Sequence, residues 1–412
     1  MNHFNTLNRR SLLTAASAAS VSQILGRAVV ASEQSQGRDD SRRPRFKRCV
    51  TLWMQGGPSQ FETIDPKPDS SNGGPLTSVA SGVPGIAFCE TLGKLAERAN
   101  EMCLLRSVGS KQGEHERASY LLHTGFEKID SFPRPSLASA VANGSRQGGG
   151  IPPAVTLGGA AYGAAFLGPE NAPFVISELE SALETVHRAR GNIGRLKLVE
   201  QLNAKFGQVS LPLKQRSRQI QTARELLGSS FADSMNFETE SEQTRRRYGE
   251  NGFGNRVLAA RRMLEAGVRY VEVQMPGWDT HVGNFDAVKR LCQQLEPAWI
   301  SLADDLKANG LWEETLILWM GEFGRTPVIN GQNGRDHFPR SIPVALMGAG
   351  LDGQVIGTTG ADGSALEGPE HSVADLMYTL MDLLGVDPDQ EYTTRFGSPT
   401  TPTDGGSRIP IG

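Results

Sequence analysis

Apolar residues in this chain fall into short dense runs separated by longer stretches of helical period. Residues 46–54, 102–108, 269–275, 315–320 and 341–347 each read as a strand, and each is followed within two residues by glycine or proline. The run at 315–320, Thr-Leu-Ile-Leu-Trp-Met, carries no charge, as expected of a strand buried on both faces. Residues 115–124 read as a helix with Ala118, Leu121 and Leu122 on one face and Gly125 as its stop. Another helix is expected near 91–100. Phe285, Val288, Leu291, Leu295, Trp299, Leu302 and Leu306 recur at spacings of three and four, one buried face of a long helix that Pro297 should kink and Gly310 should end. Ser372 with Asp375 forms a capping box for a last helix closed by Gly385. The strand–helix–strand order over 269–320 implies a parallel pair joined by a right-handed crossover.

Between about 191 and 266 the pattern is helical and rich in charge. Leu196, Leu198, Val199 and Leu202 make one stripe, and Ile220, Ala223, Leu226 and Leu227 another. The block reads as a helical layer or as a cap over a site. Residues 32–45 read as a linker, and the Thr/Pro/Gly-rich tail after about 387 as a surface wrap.

An open α/β sheet builds its site where the parallel strands end. Here the strand ends carry suitable groups. Gln55 and Ser59 follow the first strand, Asp279 and His281 the third, and Glu322 and Arg325 the strand at 315–320. Asp336 and His337 come ten residues later. Carboxylates and neutral imidazoles are ligands for zinc, manganese or a similar ion. Asp279 and His281, two apart in an extended loop, can chelate from one side. Glu322 or Asp336 would orient water or ligand, and Arg325 offers a fork donor for an anionic ester oxygen. His115 opens a helix, where backbone N–H groups favour anions, and suits a ligand, a base or a nucleophile. Ser59 lacks a Gly-x-Ser-x-Gly elbow and reads as a turn residue near the site.

Composition narrows the classes. A chain of 412 residues with 21% charged and 38% hydrophobic residues and a formal net charge of −3 is ordinary globular protein, not a nucleic-acid binder. Its dense basic runs are short, Arg42-Arg43-Pro44-Arg45 and Arg245-Arg246-Arg247. Four cysteines in this length make no disulfide framework. Cys49 and Cys292 read as buried thiols, and a pairing of Cys89 with Cys103 is left open. Asn8-Arg9-Arg10-Ser11-Leu12-Leu13 ahead of an Ala/Ser-rich run is similar to a twin-arginine export signal ending near Ala31, which places the protein in the periplasm or outside the cell. That run is too short and polar to span a membrane.

Taken together, Gly56-Gly57-Pro58-Ser59 with Asp65-Pro66-Lys67-Pro68, His115 with Thr124-Gly125, Tyr248-Gly249, Ala266-Gly267-Val268-Arg269, Trp278-Asp279-Thr280-His281, Gly321 to Pro327 and Gly334 to His337 resemble the domain-of-unknown-function family 1501, from about residue 46 onward. The resemblance implies a single alkaline-phosphatase-like domain, a three-layer α/β sandwich around a mostly parallel sheet. It implies a metal-dependent hydrolase of phosphate or sulfate esters, on a small molecule or a polysaccharide, with no established activity. Within the wider superfamily pattern, Asp279, His281 and His337 match one metal site, with Asp336 beside it and zinc, manganese or calcium as the ion. His115 falls near the position of the nucleophile and Glu322 where the aspartate of a second metal motif would stand; His115, Glu322 and Arg325 are the candidate catalytic residues, and Gln55 and Ser59 the candidate substrate-binding ones. The second metal site looks degraded. Phe323 stands where a histidine ligand would, Gln55 where the first strand would supply an aspartate, and Glu62 or Asp65 would have to substitute. Ser110 and Ser119 lie near the position of a sulfatase nucleophile without matching it. The same pattern allows a non-catalytic binding or structural protein of the cell envelope that keeps the fold.

Overall fold

A nine-stranded sheet organises the chain. The computed structural model describes residues 44–145, 150–192, 194, 221–394 and 397–411. In chain order the strands of the main sheet are β1 Arg48–Gln55, β2 Met102–Gly109, β3 Ala154–Leu157, β4 Phe174–Ile176, β5 Tyr270–Pro276, β6 Thr315–Met320, β7 Ile342–Met347, β8 Gln354–Ile356 and β9 His371–Ser372. Across the sheet they run β8-β2-β7-β6-β1-β5-β3-β4, with β9 also on β2. All pairs are parallel except those of β7, which is antiparallel to both neighbours. At the centre, Leu52 of β1 stands opposite Val273 of β5 on one side and Trp319 of β6 on the other.

Strand alternation divides the core in two. Val50, Leu52 and Met54 of β1 face one apolar cluster, while Cys49 and Trp53 face the other. The first face is covered by α3 Leu179–Gly191, α4 Gly252–Glu265 and α5 Asn284–Ala308, the second by α1 His115–Thr124, α2 Leu137–Asn143 and α6 Val373–Leu383. The molecule is thus the expected three-layer sandwich around a mostly parallel sheet. The charge-rich block contributes to a layer: α4 and the helix Glu242–Tyr248 pack on α5. Its stripe at Leu196, Leu198, Val199 and Leu202 and the position Ile220 lie outside the described residues.

Local signals held where the physics is local. The helix expected at 115–124 spans those residues, with Gly125 at φ 78°. Ser372 and Asp375 make the reciprocal capping box. The long helix runs unbroken through Pro297. Residues 91–100 form 3₁₀ turns (Glu90–Leu92 and Leu95–Glu101) instead of one helix. The four cysteines are buried and free, so Cys89 and Cys103 do not pair. Burial pushes the Cys49 thiol up to about 12, which takes it out of nucleophilic chemistry. No helix among the described residues is long and apolar enough to cross a membrane.

Candidate metal centre

The carboxyl ends of β1, β2, β5 and β6 deliver their loops to one edge of the sheet. β7 runs the other way and begins at that edge, so the hairpin leading into it, Gly324–Arg325 against His337–Phe338, lies there too. This brings together His115 at the start of α1, Asp279 and His281 after β5, Glu322 and Arg325 after β6, and Asp336 and His337 in the hairpin. Gly56 shapes the contact with the β5 loop. At φ +116° it lies so close that a Cβ there would come within 2.3 Å of the Asp279 amide nitrogen.

Three imidazoles turn the same nitrogen inward. His115 Nδ1 donates to Glu322 Oε1 at 2.9 Å, His281 Nδ1 to Asp336 Oδ1 at 2.7 Å, and His337 Nδ1 to the Gly113 carbonyl at 2.7 Å. Carboxylate and carbonyl oxygens only accept, so these bonds fix the proton on Nδ1 in the neutral ring and leave each Nε2 a lone pair. The Nε2 atoms of His281 and His337 lie 2.9 Å apart, and 3.1 and 3.2 Å from Asp279 Oδ1. His115 Nε2 approaches the other oxygen, Oδ2, at 3.4 Å. Ligating atoms of His115, Asp279 and His337 all fall within 4.8 Å of one another.

Lone pairs held this close repel unless a cation, or an added proton on a ring, lies among them. Separations of this size are what ligands about 2.0–2.2 Å from a single ion keep from each other. The donor set therefore fits a divalent ion held by Asp279, His281 and His337. Asp336 serves by orienting His281 and is not itself turned inward. Burial raises the Asp279 carboxyl, but the hydrogen bond and charge of Arg325 outweigh it and bring its pKa down to about 2, so a ligating carboxylate is ionised at any ordinary pH. The hydrogen bond from His281 likewise lowers Asp336.

Glu322 is 1% exposed, and its Oε1 also accepts from the Gly56 amide at 2.8 Å. Its Oε2 is buried with no protein partner. The bond to Glu322 raises the His115 pKa against the opposing effect of partial burial. Glu322 and His115 thus form an orienting carboxylate and a half-exposed imidazole, the construction of an acid–base group. Phe323 is fully buried, with its ring 5.0 Å from that of His115 and 4.3 Å from that of His337. It packs the two imidazoles and supplies no ligand.

Other candidates lie elsewhere than expected. Arg325 is wholly buried and turned inward. It donates through Nε to the Gly57 carbonyl at 2.9 Å, through Nη1 to Arg335 O at 3.0 Å, and through Nη2 to Trp278 O at 3.1 Å, to Gly56 O, and to Asp279 Oδ1 at 2.7 Å. It anchors the site and presents no fork to an ester. Ser59 is fully buried, and Gln55 is exposed. Glu62 and Asp65 are not substitute ligands. Glu62 faces Arg335, while Asp65 meets Lys67 at 3.0 Å and Arg106 at 3.2 Å. The composition of Gly334-Arg335-Asp336-His337 hinted at none of this, because Arg335 and Glu62 lie far apart in sequence.

Away from the centre, His123 lies between the Ser119 carbonyl (Nδ1, 2.7 Å) and Glu272 Oε2 (Nε2, 3.1 Å), against the rings of Trp53 and Tyr162. Both nitrogens meet acceptors, which calls for the doubly protonated ring. Burial opposes that charge, but Glu272, with a smaller effect from Glu322, outweighs it and the pKa is raised. A raised folded value contributes stability that is full below the unfolded pKa of about 6.5 and fades as pH rises through the folded one. The expected slope approaches 1.4 kcal/mol per pH unit, at about one proton, over that window. Urea midpoints of wild type and His123→Gln between pH 6 and 9 check it, and parallel curves would refute it.

Three solved structures are among those similar to this chain. One is a protein in the alkaline phosphatase superfamily from Vibrio parahaemolyticus, at 13% identity, covering 92% of this chain and 76% of that one with a TM-score of 0.40. Another is the PsFucS1 sulfatase from Pseudoalteromonas sp., at 15% identity over 98% and 78% of the chains, with a TM-score of 0.39. A third is the phosphonate monoester hydrolase of Agrobacterium radiobacter, at 13% identity over 90% and 77%, with a TM-score of 0.37. No curated protein matches. Residues 46–410 match the family described as "Protein of unknown function (DUF1501)", and the chain belongs to it.

Proposed function

We propose that the protein is an exported, metal-dependent hydrolase of phosphate or sulfate esters. Asp279, His281 and His337 hold one divalent ion, and the His115–Glu322 pair moves the proton. The observation that carries this reading is the convergence of two Nδ1-protonated imidazoles on an ionised carboxylate, lone pairs facing. The bound ion would neutralise charge on an ester oxygen. The chain's own residues do the rest. Arg325 keeps Asp279 ionised and fixed, Asp336 and Gly113 fix the two ring orientations, and Glu322 holds His115 with Nε2 toward the site.

Two observations favour a second reading, a non-catalytic binding protein of the cell envelope. Phe323 packs against the rings of both His115 and His337 and supplies no ligand, and the wholly buried Arg325 turns its guanidinium inward, away from any substrate anion. A single experiment separates the two. Cells producing the full chain are fractionated, and the periplasmic protein is assayed on phosphate and sulfate mono- and diesters with zinc, manganese or calcium, before and after chelation. We expect periplasmic protein and turnover that chelation abolishes and metal restores. Retention in the cytoplasm would remove the export proposal. Metal binding without turnover on any ester would favour the second reading.

A further inference from the structure

Next to Asp336 and His337 lies an ion pair that plays no part in the reading above. Arg335 and Glu62 are both 0% exposed and meet at 2.7 Å. The Arg335 Nε reaches both Glu62 oxygens at 3.1 Å. Its other donors go to the carbonyls of Thr326 (3.0 Å), Pro327 and Asn72 (2.7 Å), and its guanidinium lies 4.3 Å from the Phe61 ring centre. Glu62 Oε2 also accepts from Asn284 Nδ2 at 2.8 Å at the start of α5, and Asn284 Oδ1 accepts from the Thr280 hydroxyl at 2.6 Å. The Arg335 amide donates to the Thr280 carbonyl at 3.1 Å.

The pair therefore ties together the loop after β1, the loop that carries Asp279 and His281, the head of α5, and the hairpin that carries Asp336 and His337. Burying a charged pair seldom gains stability, because desolvation offsets the attraction. What full burial with every donor used does supply is a single arrangement of the segments it joins. That matters most where the neighbours resist being together. The inward atoms of Asp279, His281 and His337 repel one another, so something outside the cluster must hold their loops in place.

We infer that Arg335 and Glu62 are positioning residues for the metal ligands, locking the His281 loop against the His337 hairpin. The inference rests on the metal-centre reading, and its test is built to fail separately from that reading. The variant is the double substitution Glu62→Met/Arg335→Met, since apolar replacement of a whole buried pair commonly keeps the fold. Cobalt(II) is titrated into wild type and variant, following the visible absorption of the bound ion, with thermal melting as the fold control. The expected result is a melting midpoint near wild type, cobalt affinity about 10–100-fold weaker and an altered spectrum, the scale of loss found when ligand-orienting partners are removed. Wild-type affinity and spectrum in the folded variant would overturn the inference.

If the double variant does not fold, Arg335→Lys keeps the charge, gives up the fork and is read the same way. If wild type binds no cobalt, the metal reading fails, and the positioning inference is then decided by NMR of protein labelled with ¹⁵N in its seven histidines. Loss of the protected Nδ1–H signals of His281 and His337 in the variant supports it, and their retention overturns it.

Discussion

Replacing Glu322 by glutamine is expected to lower kcat for ester hydrolysis by about 10²–10⁴-fold, the usual worth of a positioned acid–base group, while bound metal stays at the wild-type level. Glutamine fills the same volume and its carbonyl oxygen still accepts from the Gly56 amide and His115 Nδ1, so the loop keeps its shape. What is lost is the negative charge that favours the protonated imidazole. The hydrogen bond to that charge is the main cause of the raised His115 pKa, so without it the pKa falls back toward about 6.5. Whichever limb of the kcat/KM–pH profile His115 sets should therefore move to lower pH. Stopped assays from pH 5 to 10, with metal analysis of the same samples, check both parts. A fall in metal content proportional to the fall in rate would mean that Glu322 serves the ion and not the proton. An unmoved profile with full metal would remove His115 from proton transfer.

How much of this was legible in the sequence follows from how far each cause reaches along the chain. Strand β6 is legible to the residue, because an uncharged apolar run that stops at Gly321 has few other uses. Helix α1 and the capping box at Ser372 were legible for the same reason. β3 and β4 were missed, being four and three residues long, too short to show a period. The gathering of Asp279, His281, Glu322 and His337 was legible as groups at the ends of strands in one sheet. Which nitrogen each histidine turns inward was not, since that depends on Gly113, Asp336 and Glu322, reached only through the tertiary fold. The two arginines show the limit most clearly. A cation in a loop beside acids looks like a substrate anchor, and only the fold reveals that Arg325 spends its donors on carbonyls some 269 positions away in sequence. Nothing in the sequence marks Arg335, because its partner Glu62 is 273 positions away.

Arg325→Met should therefore act on stability before it acts on binding. The guanidinium joins the Gly56-Gly57 loop, the Trp278–Asp279 segment and the hairpin through four backbone carbonyls and one carboxylate. An acceptor left buried without a donor costs about 1–3 kcal/mol, and two or three such losses come to roughly 4–6 kcal/mol where water cannot enter. That is a large part of the 5–15 kcal/mol or so that holds a typical domain together. The melting midpoint should fall by on the order of 10 °C, since about 1 kcal/mol shifts a large domain by roughly 2 °C. Asp279 would also lose the charge that most depresses its pKa, so metal retention should fail at a higher pH than in wild type. A residue that held substrate would behave otherwise, leaving melting unchanged while KM rises. Arg325→Lys sharpens the comparison. It retains a cation near Asp279 but cannot reach four carbonyls from one ammonium with three donors. It should fall between wild type and Arg325→Met in stability, with Asp279 still ionised. If both variants melt like wild type and differ only in KM, the anchoring role is wrong and the fork does meet the ester.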